Sequence, residues 1–96
     1  MYHSKFESEE LDNLFEAMKL LQNKEEYYMF MEDLCTVSEL GAIGQRFKVA
    51  QLLDEGKTCH AIAQETGAST ATISRVNKCL NYGTGGYKLL LERNKK

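Results

Sequence analysis

The stretch Thr58-Cys-His-Ala-Ile-Ala-Gln-Glu-Thr-Gly-Ala-Ser-Thr-Ala-Thr-Ile-Ser-Arg-Val-Asn-Lys-Cys-Leu80 decides the fold. It reads as a helix-turn-helix. Ala63 falls inside the first helix, where a small side chain lets the second helix approach. Gly67 follows four residues later, at the turn, where a left-handed backbone is needed and glycine supplies it cheaply. Ile73 and Val76 lie three apart on the second helix. With Ile62 and Ala68 they can form a small shared core that locks the two helices at a steep angle. Two ordinary packed helices separated by a glycine would share some of these features. Small residue, turn glycine and apolar positions all in register favour the motif, which lays its second helix in the major groove of duplex DNA.

The second helix is expected to start at Ser69 or Thr70 and run to about Asn81. Its first two turns hold the candidate DNA contacts Ser69, Thr70, Ala71, Thr72, Ser74 and Arg75. Hydroxyls bond phosphates or base edges, and the methyls of Ala71 and Thr70 can touch a thymine methyl. Arg75 is the bidentate donor available for guanine. No Asn or Gln suited to adenine reading falls in these turns. Modest direct readout is therefore expected, with water bridges and DNA shape supplying further specificity. Backbone amides from Ser69 to Thr72 can hold a phosphate at the helix start. Lys57, His60 and Lys78 are candidate phosphate contacts, although a plain solvated side chain explains each of them as well.

The chain has 96 residues, the length of one small domain, and spans 1–96 as a single unit. Its 43% hydrophobic content gives such a chain much to gain from a partner. No long apolar run could span a membrane, and the N-terminus lacks the apolar core of a secretory signal, so a cytoplasmic location is expected. Cys35, Cys59 and Cys79 are odd in number and dispersed. With His3 and His60 as the two histidines, they read as reduced thiols and not as a zinc site. The net charge of -2 is unevenly spread. Residues 1–40 carry three lysines against ten acids, which leaves -7, whereas residues 41–96 carry nine bases against four acids, which leaves +5. Phosphate attraction acts over a Debye length of roughly 8 Å, so the local positive sign around the motif outweighs the total.

Outside the motif, Ser4-Lys-Phe-Glu7 matches a capping box, and Asn23-Lys-Glu-Glu26 offers a second cap. Leu11, Leu14, Phe15, Met18 and Leu21 form one apolar stripe; Tyr27, Phe30, Met31 and Leu34 form another. The helices over about 6–35 are read as dimerisation helices, with acidic outer faces turned to solvent. Ser38 is expected to cap a third helix over about 39–55. Leu40, Ile43, Phe47 and Ala50 lie on one side of it, and Val49, Leu52 and Leu53 widen that face. Gly41 and Gly44 weaken its start by roughly 1 kcal/mol each, and could admit another backbone or a ligand. Asp54-Glu-Gly56 ends it, and Thr58 caps the fourth helix. Gly83-Thr-Gly-Gly86 is expected to be a flexible break before a last helix over about 87–93, and the Asn94-Lys-Lys96 tail to fray. No segment has a strand period, so the class is all-α with six helices.

Leu40-Gly-Ala-Ile-Gly-Gln-Arg-Phe-Lys-Val-Ala-Gln-Leu-Leu53 followed by the Thr58–Leu80 motif closely resembles the Trp repressor superfamily. Leu80-Asn-Tyr-Gly-Thr-Gly-Gly-Tyr-Lys-Leu-Leu-Leu91 resembles its YerC/YecD branch of bacterial regulators. The resemblance covers roughly residues 30–92. It implies a six-helix fold built as an intertwined homodimer, with two helix-turn-helix units reading the halves of a palindrome. It also implies an effector pocket between the third helix and the recognition helix, where an indole ring lies between two arginines. Arg46 and Arg75 occupy the matching positions, and Thr36 matches a residue near the ligand's amino group. A guanidinium plane can stack on such a ring. Val76 stands where the repressor has a glycine beside the ring, and its methyl groups claim the same space. Cys79 replaces a serine at the ligand, and His60 and Ala63 replace basic residues that face DNA. These departures argue against tryptophan and leave another small-molecule corepressor or none.

The sequence thus points to a double-stranded DNA-binding transcription regulator, of repressor type. The alternative is a protein-interaction module that keeps the helix-turn-helix as scaffold, favoured by the acidic N-terminal half and the scarcity of base-reading side chains. RNA binding is weaker, because no aromatic platform interleaves with the basic residues. An enzyme is not expected: no nucleophile–base–orienter set or phosphate loop is present, and side chains of the adjacent pair Cys59-His60 diverge on a helix.

Overall fold

A computed structural model describes residues 2–95. Among them the elements are helical throughout: α1 (Glu9–Met18), α2 (Lys24–Leu34), α3 (Val37–Asp54), α4 (Cys59–Thr66), α5 (Thr70–Tyr82) and α6 (Gly86–Asn94). The chain divides into two compact units, residues 1–36 and 37–96.

In the N-terminal unit α1 is capped by Ser8, whose Oγ accepts from the Leu11 amide at 3.1 Å. Ser4, the expected cap, instead closes a turn, accepting from the Phe6 amide on its Oγ and from the Glu7 amide on its carbonyl. The helix dipole accounts for this correction. A start at Ser8 places three acids, Glu9, Glu10 and Asp12, in the first turn, at the positive end, whereas a start at Ser4 would place the single acid Glu7 there with Lys5 opposing it. Asn23 caps α2 as expected, accepting from the Glu26 amide at 2.9 Å, and Glu26 returns a bond to the Gln22 amide. Neither helix buries any residue. Phe15, Leu20, Tyr28 and Met29 are all more than half exposed.

The C-terminal unit has one core: Val49, Ala50 and Leu52 of α3, Ile62 of α4, Ala68 of the turn, Ile73, Val76 and Leu80 of α5, and Leu91 of α6. Helix α3 begins at Val37, two residues before the expected start, so Ser38 lies within its first turn and does not precede it. Only its C-terminal half is buried; Val37 and Ile43 are exposed, and a Cβ on Gly41 or Gly44 would meet nothing within 4 Å. The helix closes through two bonds, Gly56 amide to Leu53 carbonyl and Lys57 amide to Leu52 carbonyl, which satisfy carbonyls the ladder leaves open. Gly83, Thr84 and Gly85 separate the end of α5 at Tyr82 from the start of α6 at Gly86. The Gly83 amide bonds the Cys79 carbonyl at 2.9 Å, and a Cβ at Gly83 would collide with that same carbonyl. Helix α6 runs through Asn94, one residue beyond the expected end, and Lys95 Nζ pairs with Asp54 Oδ2 at 2.8 Å. Lys96 lies outside the described residues.

Candidate nucleic-acid interface

The candidate interface comprises α4, the turn after it, and α5. Thr58 starts α4, its Oγ1 accepting from the Ala61 amide at 3.1 Å. The helix ends at Gly67, which has φ +74 and sends its amide to the Ala63 carbonyl. A left-handed residue here reverses the chain within one residue, and an L side chain would strain it. Thr66 fastens the turn: its Oγ1 donates to the Ile62 carbonyl at 2.7 Å and accepts from the Ala68 amide at 3.1 Å. Gln45 Nε2 donates to the Thr66 carbonyl at 3.3 Å, and Lys48 approaches Glu65 at 3.9 Å, so α3 braces the same corner. Sequence reasoning missed this clasp; a threonine just before the turn glycine, one turn after Ile62, was the available signal.

Ile62, Ala68, Ile73 and Val76 close the core expected of the motif, each at most 5% exposed. With Leu80 they claim one side of α5. The other side is open: Thr70, Ala71, Ser74, Arg75 and Lys78 are exposed. Ser69 is the N-cap of α5, and its hydroxyl is committed to Thr72, accepting from the Thr72 amide and donating to Thr72 Oγ1, both at 3.1 Å. Ser69 and Thr72 therefore position the helix start, while Thr70, Ser74 and Arg75 stand exposed with no side-chain hydrogen bond among the described residues. No acid lies in the first turn of α5 to repel a phosphate. Lys57 and His60 are exposed beside the start of α4.

The candidate effector residues are dispersed differently. Thr36 ends the N-terminal unit. Arg46 is half-buried on α3, Arg75 and Cys79 are exposed on α5, and Val76 turns its side chain into the core at 1% exposure. Arg46 makes no hydrogen bond or ion pair to α5 among the described residues, whereas its neighbours Gln45 and Lys48 reach α4. A groove of about 470 Å³ opens between Phe47, Cys79, Gly83, Thr84, Tyr87 and Leu90. Of the candidate effector residues only Cys79 lines it. All three cysteines are free thiols. Among the described residues no group of His, Cys, Asp or Glu is placed to hold a metal ion, and no helix is long and apolar enough to cross a membrane.

Comparison with known proteins matches residues 9–95 to the family model described as Trp repressor protein. An uncharacterised protein, YerC of Bacillus subtilis (strain 168), is 50% identical over 93 residues, covering 97% of this chain and 89% of that protein. Two crystal structures share the fold at a TM-score of 0.90. One is a candidate Trp repressor from Staphylococcus aureus, 46% identical over 95% of this chain and 91% of that one. The other is a TrpR-like protein from Eubacterium eligens ATCC 27750, 47% identical over 95% of this chain and 94% of that one.

Proposed function

Because the chain belongs to the Trp repressor family, we propose that it is a cytoplasmic, sequence-specific DNA-binding regulator that represses transcription by occupying a palindromic operator as a homodimer. The observation that carries this reading is the open face of α5: Thr70, Ala71, Ser74 and Arg75 stand exposed on a helix whose opposite side is locked into the core. Such a helix keeps its orientation when it meets a groove, so little ordering cost falls on binding.

Arg75 would read a guanine through its paired N–H groups, while Thr70, Ala71 and Ser74 would meet base edges or thymine methyls. The free amides at the start of α5 would take a phosphate, with Lys57, His60 and Lys78 adding contacts to the backbone. The homodimer is supported by α1 and α2, which bury nothing within the chain yet carry Phe15, Leu20, Tyr28 and Met29. A second copy supplies the cover that such apolar area calls for. A small-molecule effector is compatible with this reading. The guanidinium groups of Arg46 and Arg75 make no hydrogen bond or ion pair among the described residues, and a guanidinium plane can stack on a flat ring.

Titration of labelled duplex DNA at two salt concentrations tests the proposal. Arg75→Ala should cost about 1–3 kcal/mol on the preferred sequence and relax preference at one position, whereas Lys78→Gln should weaken all duplexes alike. Equal affinity for every duplex at both salts would leave the interaction-module reading in its place.

A further inference from the structure

Tyr82 is 86% exposed, although it ends a helix whose large aliphatic residues, Ile73, Val76 and Leu80, are all buried. A helix turns once every 3.6 residues, so residues four and seven apart share a face. Tyr82 follows Lys78 by four and Arg75 by seven. It therefore continues the outward line of Arg75 and Lys78, opposite the core stripe. Its hydroxyl has no hydrogen-bond partner among the described residues, since the nearby polar link is made by Asn81, whose Nδ2 donates to the Asn77 carbonyl and Oδ1.

The stretch of sequence that carries this line has charge of one sign. Between Glu65 and Glu92 the chain has no acidic residue, while Arg75, Lys78 and Lys88 fall in that interval. In a protein with 14 acids this is the segment best matched to a polyanion. Length adds a geometric argument. Ala71 and Tyr82 are eleven residues apart, about 16 Å at 1.5 Å per residue. The major groove is only about 12 Å wide. A helix that sets Ala71 against base edges with this face down therefore meets the far wall of the groove near its C-terminal end.

We propose that Tyr82 is a further DNA-contacting residue, its hydroxyl donating to a backbone phosphate on that far wall beside Lys78. This rests on the reading of α5 as the recognition helix. Tyrosine suits the role: its rigid ring carries a donor at its tip with little rotamer entropy to lose, and its flat side can lie against a sugar. The contact adds affinity and registers the helix, but it reads no base.

The test is fluorescence anisotropy with the preferred duplex and a scrambled one over a range of salt, on the full chain, with sedimentation run beside it. Tyr82→Phe should weaken both duplexes by the same factor, about tenfold for one hydrogen bond to a charged group, with the salt slope unchanged. Tyr82→Arg should restore binding and steepen the slope by about 0.9 for one added phosphate contact. Three outcomes overturn the proposal: wild-type affinity in Tyr82→Phe and Tyr82→Ala; loss on the preferred duplex alone; or a change of oligomeric mass in Tyr82→Ala, which would assign the ring to a contact between copies. In each of them a wild-type preference for one duplex leaves the underlying recognition-helix reading standing. Wild-type protein that binds no duplex removes both.

Discussion

Two glycines do different physical work. Gly67 holds φ +74 with open space around its Cα, so an added methyl meets no neighbour and strains only the backbone. Gly67→Ala should cost about 1–2 kcal/mol. Gly83 has ordinary φ, but an added Cβ collides with the Cys79 carbonyl. Gly83→Ala should cost about 1–3 kcal/mol and displace α6. Urea unfolding midpoints check both. Gly67 was legible because its requirement is local. Gly83 was read as a source of slack, since a close approach between the turn and a carbonyl four residues back is invisible in composition. The same limit hid the tail contact. Asp54 beside Lys95, through a hydrogen bond and its charge, raises the lysine's pKa above the ordinary 10.5. Lysine is the charged form below its pKa, so this pairing is fully present below 10.5 and fades as pH rises through the raised value. NMR titration should place Lys95 highest among the lysines, and Asp54→Asn should bring it back down.

At the scale of elements, caps mark the helix starts where local chemistry suffices. Asn23, Thr58 and Ser69 were readable and hold. Ser4 was displaced by Ser8 because the capping-box pattern ignores where the following acids fall. Helix α3 shows the opposite problem: its apolar residues spread around the helix, so the pattern could not tell the buried half from the exposed half. Ser69 has a double commitment to Thr72 that no sequence pattern displays. Ser69→Ala should destabilise the fold by about 1 kcal/mol through the lost cap and free the Thr72 hydroxyl. Thermal unfolding and duplex titration on the same variant separate the two effects: a stable helix start with changed affinity would show that Ser69 itself touches DNA.

For the whole molecule, the contrast between the two units carries most of the inference. Residues 37–96 close a core of their own, whereas α1 and α2 bury no residue and leave Leu11, Phe15, Tyr27 and Leu34 of their apolar stripes exposed. Amphipathic periodicity made those stripes legible, but periodicity does not say what covers them. If a second copy does, Phe15→Asp should halve the mass seen by light scattering while the helix content of residues 37–96 persists. An unchanged mass would move the cover to another partner. The regulator reading requires two recognition helices presented together, so its most direct test is selection of bound duplexes from a random library by the wild-type protein. The account predicts enrichment of a two-fold symmetric sequence, with half-sites about one helical turn apart, that disappears when Thr70, Ala71 and Ser74 are replaced together. Recovery of no preferred sequence, or the same sequence after that replacement, would contradict it.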